Sequence, residues 1–202
     1  MDQYSSEWWD ARLGKATASK ISDIMTKTKS GYGAGRKNYE AQLISERLTG
    51  TAPPSFTNAA MQWGTDTEPK ARATYEFLTD NAVTEVGFVD HPTISMSGAS
   101  PDGLIENGIL EIKCPNTATH LDTLLNKKIP KKYQTQMFWQ MSCCNADYGD
   151  FVSYDPRLPE NMSMVIIRLE RDNEVIEAME KSVEEFLQGI DDKLEQLKVQ
   201  YG

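Results

Sequence analysis

The sequence predicts an α/β fold, a small sheet of mostly consecutive strands flanked by helices. Three observations predict it. The stretches "AVTEVGFVD", "TISMSGAS", "ILEIK", "DFVSYD" and "SMVIIRLE" have the length and β-branched content of strands. Ile176, Met179, Val183, Phe186, Ile190, Leu194 and Leu197 recur at three- and four-residue steps, the pattern of a long amphipathic helix. Asn107-Gly108 is a two-residue hairpin signal, because both central positions of a type I′ turn need positive φ.

The elements follow in order. "SSEWWDARLG" reads as a short helix closed by Gly14. "TASKISDIM" opens a second helix with Thr17 or Ser19 as N-cap. "KTKSGYGAGRK" is glycine-rich and basic, the composition of a mobile segment. A helix through "NYEAQLISERLTG" is closed by Gly50, and "TAPPSFTN" is a loop. Helical pattern resumes from Ala59 to Thr79, with Pro69 as a point of interruption. One further helical pattern, Pro130 to Cys144, separates the third strand from the fourth. At 202 residues the chain is expected to form one domain (1–202) with a substantial core. Its parts are a helical region over about 1–80, the sheet over about 81–170 and a terminal helix over about 173–199.

Composition narrows the chemistry. Three cysteines, two of them adjacent, make neither a disulfide framework nor a C-x2-C zinc site. With two histidines, a metal here is expected to be hard and oxygen-bound, magnesium or manganese. The start "MDQYSSEWWDARLG" has no long apolar run, so a cytoplasmic protein without a membrane span is expected. A net charge of −9 argues against phosphate binding by bulk charge. Lysines nevertheless cluster at 127, 128, 131 and 132, and basic residues at 27, 29, 36 and 37.

The chemistry concentrates in "SPDGLIENGILEIKCP", Ser100 to Pro115. A turn at Asn107-Gly108 pairs Leu104 with Glu111 and Asp102 with Lys113. Alternate residues share a face, so Asp102, Glu111 and Lys113 lie together, and Ile105, Leu110 and Ile112 lie on the other side. Glu111 is then a diagonal neighbour of Asp102 at roughly 7–8 Å or less. Two carboxylates and a lysine on one face suit metal-dependent phosphodiester hydrolysis. They equally describe a surface salt bridge, since the spacing alone is cheap.

"SPDG…LEIKCP" resembles the PD-(D/E)xK nuclease motif, and specifically the lambda exonuclease (YqaJ-type viral recombinase) family. The likeness continues in order along nearly the whole chain. "WWDARLGKATASKI" is similar to the family's W-x2-R-x-G-x2-T-A-S segment, and "MQWGTDTEPKAR" to its W-G-x3-E-x2-A-R helix. "YQTQMFWQM" resembles a third helix loosely, keeping the tyrosine and Gln136; "YDPR" and the terminal helix also fit. The resemblance implies a PD-(D/E)xK nuclease core with a small mixed central sheet. It implies Asp102, Glu111 and the Ile112 carbonyl as ligands of Mg2+, two ions in all, with Mn2+ able to substitute. Lys113 becomes the catalytic lysine, Glu68 an outer acid near the metals, and Gln136 a partner of the attacking water or the phosphate. Arg12, Ser19 and Ser100 become binders of a 5′-phosphate, with Gln136 beside them. The implied activity is 5′–3′ digestion of one strand of linear double-stranded DNA to mononucleotides. It leaves 3′ overhangs for single-strand-annealing recombination. A homotrimeric ring, a phage annealing protein as partner and a phage or prophage origin in a bacterial host go with it.

The residues themselves leave alternatives open. Glu68 shares a helical stripe with Ala71, Tyr75 and Leu78, or else Pro69 starts the helix and Glu68 sits at its N-terminus. Ser19 reads as part of a phosphate cradle with Arg12, or as a plain N-cap. Gln136 shares a helix side with Tyr133 and Gln140, or is merely solvated. Cys114 reads as a packed residue rather than a nucleophile. Rival functions are an endonuclease with the same site and a DNA-end-binding module without catalysis.

Overall fold

The computed structural model describes residues 2–29, 31–53 and 57–202. Part of the expected loop, 54–56, and Ser30 of the glycine-rich segment lie outside the described residues. Helices are α1 (Ser6–Arg12), α2 (Ile21–Met25), α3 (Ala34–Thr49), α4 (Ala59–Thr79), α5 (Thr117–Asn126), α6 (Lys131–Cys144) and α7 (Asn173–Tyr201). Strands are β1 (Ala16–Thr17), β2 (Lys27–Thr28), β3 (Gly31–Tyr32), β4 (Val89–Asp90), β5 (Ser97–Ala99), β6 (Gly103–Ile105), β7 (Gly108–Lys113), β8 (Tyr148–Tyr154) and β9 (Met164–Glu170). The architecture is mixed α/β. The main sheet runs β6-β7-β8-β9, with β7 and β8 parallel and the outer pairs antiparallel. A second sheet, β1-β5-β4, has β1 parallel to β5.

Parallel neighbours need a long crossover. Here it contains α5 and α6, and it lays α6 on the sheet face that carries Ile109, Phe151 and Glu111. The opposite face, Leu110, Ile112, Val152 and Tyr154, packs under Ala71 and Tyr75 of α4. The active strand is thus sandwiched between two helices. A third cluster joins α2, α3, β5 and α6 to the apolar stripe of α7, with Met179, Val183, Phe186 and Ile190 buried.

Several expectations change. The hairpin loop is Glu106-Asn107, with Ile105 opposite Gly108 and Gly103 opposite Leu110. Only Asn107 has positive φ there, at 57°. Gly108 is needed for room: a Cβ on it would lie 2.7 Å from the Tyr148 ring. The register therefore moves by two residues from the expected one. An even shift keeps every side chain on its predicted face, so the grouping of Asp102, Glu111 and Lys113 survives. α4 runs unbroken through Pro69, and Glu68 is mid-helix rather than at an N-terminus. Leu78 leaves the stripe and is exposed. "TASKISDIM" begins as β1 and a 3-10 turn over Ala18–Lys20, and neither Thr17 nor Lys20 caps with its side chain. "AVTEVGFVD" pairs only at Val89–Asp90 and at one bridge, Thr84 to Leu104. The basic segment contributes a small hairpin, β2 with β3.

A buried polar link ties α7 to this framework. His91 Nδ1 accepts from the backbone N–H groups of Thr93 (3.3 Å) and Ile94 (3.1 Å), which leaves Nε2 as the protonated nitrogen. Nε2 faces Ser142 Oγ at 3.0 Å and Glu180 Oε1 at 3.3 Å, and Ser142 donates to Glu180 at 2.6 Å. The ring stacks on Trp139. Burial pulls the His91 pKa down, against the opposing charges of Glu180 and Glu184. A histidine depressed in the folded state contributes stability that is full above its unfolded pKa, 6.5, and is lost as pH falls below it. Urea titrations across that pH window should show falling stability on the acid side in the wild type and a flatter profile in His91→Gln. Equal slopes would remove His91 from the acid response.

Candidate active site

Glu111 is fully buried in β7. Gln136 Nε2 donates to Oε1 at 2.7 Å, and Gln140 Nε2 donates to Oε2 at 2.6 Å. These glutamines are four residues apart and so share one face of α6. The Lys113 ammonium closes an ion pair with Glu111. It also donates to the Ile112 carbonyl at 2.9 Å and lies 3.8 Å from Asp102 Oδ2. Asp102 serves the hairpin as well. Its backbone N–H donates to Leu110 O at 3.1 Å, and its Oδ2 accepts the Ile112 N–H at 2.6 Å, continuing the ladder where β6 stops.

One cation is thus held by two carboxylates and a carbonyl. This all-oxygen set fits a hard divalent ion. No three side chains of aspartate, glutamate, histidine or cysteine form a metal set among the described residues. The third donor is the backbone carbonyl of Ile112.

Electrostatics follow from burial. Desolvation, with Asp102 nearby, raises the Glu111 carboxyl to about 7 even though Lys113 and Gln140 pull it back. Burial draws the Lys113 ammonium down, but Glu111 and Asp102 outweigh it and the net shift is up, so the amine stays charged. Glu68 approaches from α4. Burial and the Asp102 charge raise it to about 7, although Arg72 binds it at 2.8 Å. Burial likewise lifts the Cys114 thiol to about 12, which makes it a packed residue.

Arg12 and Ser100 meet at a separate point. Ser100 Oγ accepts from Arg12 Nη1 at 3.2 Å and from Trp8 Nε1 at 2.9 Å. The guanidinium lies 4.1 Å over the Trp8 ring. Among the described residues it has no carboxylate partner, so its charge is available to an anion. Arg12 and the exposed Ser19 line one cavity of about 230 Å³. Trp9 borders both this cavity and the larger cleft, about 760 Å³, that holds Glu68, Ile112 and Lys113. The structure therefore groups Asp102, Glu111, Lys113, Ile112 and Gln136 in one place and Arg12, Ser19 and Ser100 in another. Gln136 is committed to Glu111.

Two contributors were not singled out from sequence. Gln140 holds the second oxygen of Glu111; its position one turn beyond Gln136 was the available signal. The "YDPR" motif braces the exit of the strand. Asp155 is buried and accepts from Arg157 Nε (2.7 Å) and Thr117 Oγ1 (2.7 Å). Arg157 in turn donates to the Pro115 carbonyl at 3.3 Å and lies 4.6 Å over Trp63 of α4.

A family model, the YqaJ-like viral recombinase domain, matches residues 7–147. The chain belongs to this family. Among solved structures, the alkaline exonuclease LHK-Exo from Laribacter hongkongensis is 49% identical, with 97% of each chain covered and a TM-score of 0.91. LHK-Exo in complex with dAMP gives the same values. A phage-related exonuclease from Haemophilus somnus 129PT matches with a TM-score of 0.75 over 91% of this chain and 96% of that one; at 15% identity it bears on the fold alone. Curated proteins gave no match. The fold of this YqaJ-like chain is that of the PD-(D/E)xK exonucleases, and its membership supports a nuclease function.

Gln140→Leu should test the second amide. It leaves one oxygen of a buried carboxylate without its donor, at a cost of about 1–3 kcal/mol. Loss of such an outer partner should lower nuclease turnover by about 10–100-fold. Thermal melts and nucleotide-release rates read the two effects separately. A wild-type rate would reduce Gln140 to packing.

Proposed function

We propose that the chain is a Mg2+-dependent 5′–3′ exonuclease that removes mononucleotides from one strand of linear double-stranded DNA. The observation that carries this reading is the convergence of Asp102, Glu111 and the Ile112 carbonyl on a single cationic position. These three groups would hold the metal. When bound, it polarises the scissile phosphate and lowers the pKa of a water. Lys113, released from Glu111, orients the nucleophile and offsets charge on the phosphate. Gln136 and Gln140 each donate to one oxygen of Glu111 and hold the carboxyl group in place. Glu68, which lines the cleft beside Lys113, would be an outer acid near the metal.

Polarity rests on Arg12, Ser100 and Ser19. A guanidinium with no carboxylate partner among the described residues and two hydroxyls next to the cleft suit a terminal 5′-phosphate. LHK-Exo, at 49% identity, binds dAMP, a nucleoside 5′-monophosphate of the product class expected here. The 3′ overhangs left behind suit strand annealing, in line with a recombination role, a phage or prophage origin and an annealing protein as partner.

Nucleotide release from 5′-labelled linear duplex, against closed circular DNA, tests the reading. Linear DNA should be digested from its 5′ end only with Mg2+ or Mn2+, and circles should survive. Cleavage of circles would favour the endonuclease. Asp102→Ala and Glu111→Ala should abolish release, and Lys113→Ala should slow it by orders of magnitude while sparing metal binding. Arg12→Ala should narrow the preference for 5′-phosphoryl over 5′-hydroxyl ends. No release by the wild type would favour an end-binding module.

Assembly is the second part of the reading. A chain at −9 holds DNA poorly by charge, so sustained digestion calls for a closed ring. Lys27, Lys29, Lys127, Lys128, Lys131 and Lys132 are all exposed and would line its channel. Light scattering should give a mass near three chains; a monomer that digests long DNA processively would refute the ring.

A further inference from the structure

Tyr4 has φ 69°, the left-handed region, which a bulky side chain rarely occupies. It sits third in a turn closed by Ser5 N–H to Asp2 O at 3.3 Å, where positive φ ordinarily selects glycine. The four other non-glycine cases among the described residues are an Asp, a Lys and two Asn that close helices or the hairpin. Neighbours on both sides impose the conformation. Gln3 Nε2 donates to Val86 O at 3.1 Å and to Pro101 O at 2.8 Å, and Ser5 caps α1 by accepting from Trp8 N–H. Such strain, over-determined by its surroundings, is a pointer to function.

The strained backbone delivers a ring to the catalytic cleft. Tyr4 lines it with Trp9, Glu68, Lys113, Lys132 and Tyr133. The ring is 56% exposed, so core packing does not explain its placement. One side rests on Trp8, with centroids 5.2 Å apart. Trp8 in turn carries Arg12 on its face and Ser100 on its indole N–H. An aromatic platform is therefore built onto the same indole that positions the anion-binding pair. Burial and the Glu68 charge raise the Tyr4 phenol.

We propose that Tyr4 is a specificity-determining platform on which the base of the terminal nucleotide stacks, while Arg12 and Ser100 hold its phosphate. This rests on the exonuclease reading above and adds the part of the substrate that the carboxylates cannot recognise. Stacking is sequence-tolerant, because every base has a π-face. A strand terminus with a base should thus be preferred to one without.

The test compares linear duplexes ending in an ordinary or an abasic 5′ nucleotide. Tyr4→Ala and Tyr4→Gly should lose about 10- to 100-fold in kcat/KM on the ordinary end and little on the abasic end. Tyr4→Phe should rescue the ordinary end. Tyr4→Gly relieves the positive φ, so its melting temperature should be no lower than that of the wild type, which separates lost stacking from lost folding. Equal losses on both ends, no loss on either, or a Tyr4→Phe defect as large as that of Tyr4→Ala would overturn the platform. Calorimetric titration with dAMP and with deoxyribose 5-phosphate gives the same contrast without catalysis. Weaker dAMP binding by Tyr4→Ala, with deoxyribose 5-phosphate unchanged, supports the platform even if the wild type releases no nucleotide; equal binding overturns it. Wild-type inactivity would by itself count against the exonuclease reading alone.

Discussion

A carboxylate without solvent is the constraint around which this molecule is arranged. Glu111 is fully buried in the second strand of the main sheet. An unpaired charge in such a place costs several kcal/mol, so the fold must supply partners. Lys113 comes from the same strand two residues on, and Gln136 and Gln140 come from α6. A helix turned by one residue, about 100°, would move both amides off the carboxylate. The polar contacts therefore fix where α6 sits, beyond what the apolar contacts of Met137 and Met141 require. The parallel pairing of β7 with β8 is what makes the chain cross over and bring α6 to that face.

The other layer is built on different terms. α4 presents Ala71 and Tyr75 to Leu110 and Ile112, and the Tyr75 hydroxyl donates to the buried Asp150 carboxylate at 2.7 Å. Glu68 of the same helix comes about a turn earlier and lines the cleft with Ile112 and Lys113. Asp102 joins the layers. Its carboxylate takes the Ile112 N–H, and that same carboxylate faces the ammonium. The hairpin end is thus stabilised by the same carboxylate that faces Lys113, which holds the candidate site on strands rather than on a loop.

How much of this was legible in the sequence depends on parity and on pairing. The hairpin register was off by two residues, yet Asp102, Glu111 and Lys113 still fall on one face as read, since side-chain direction repeats every two residues. Asn-Gly misled because Gly108 makes room for Tyr148 and leaves positive φ to Asn107. β-branched residues at 82–88 suggested a strand, but only Thr84 finds a bridging partner; Val83 instead fills the space beside Gly103. β1 was missed, with Thr17 read as a helix N-cap, because two residues carry no period; its strand character comes from β5, 81 positions away. α5 was missed although Leu121, Leu124 and Leu125 stand at helical spacing; its ten residues give that pattern little more than one turn to repeat. Pro69 suggested an interruption that tertiary packing of α4 overrides. Trp8, which joins Arg12 to Ser100, carried no signal beyond being an aromatic residue in a helix.

Net charge is a poor guide to what this surface meets. Between Asn173 and Tyr201, eight carboxylates face three lysines, a surplus of five in a chain whose total is nine. That helix buries its apolar stripe against the core, so its carboxylates mostly face away from it. At the cleft the balance differs. Lys132 and Lys113 line it, and Arg12 lies just beyond Trp9 without a carboxylate partner among the described residues. Screening confines each charge to a Debye length of roughly 8 Å at physiological salt. A phosphate at the cleft therefore experiences the local lysines and guanidinium much more than the distant acids. The acidic total keeps the chain soluble and weakens indiscriminate adhesion to DNA. At the cleft, cations, aromatic rings and the carboxylates paired with Lys113 lie together.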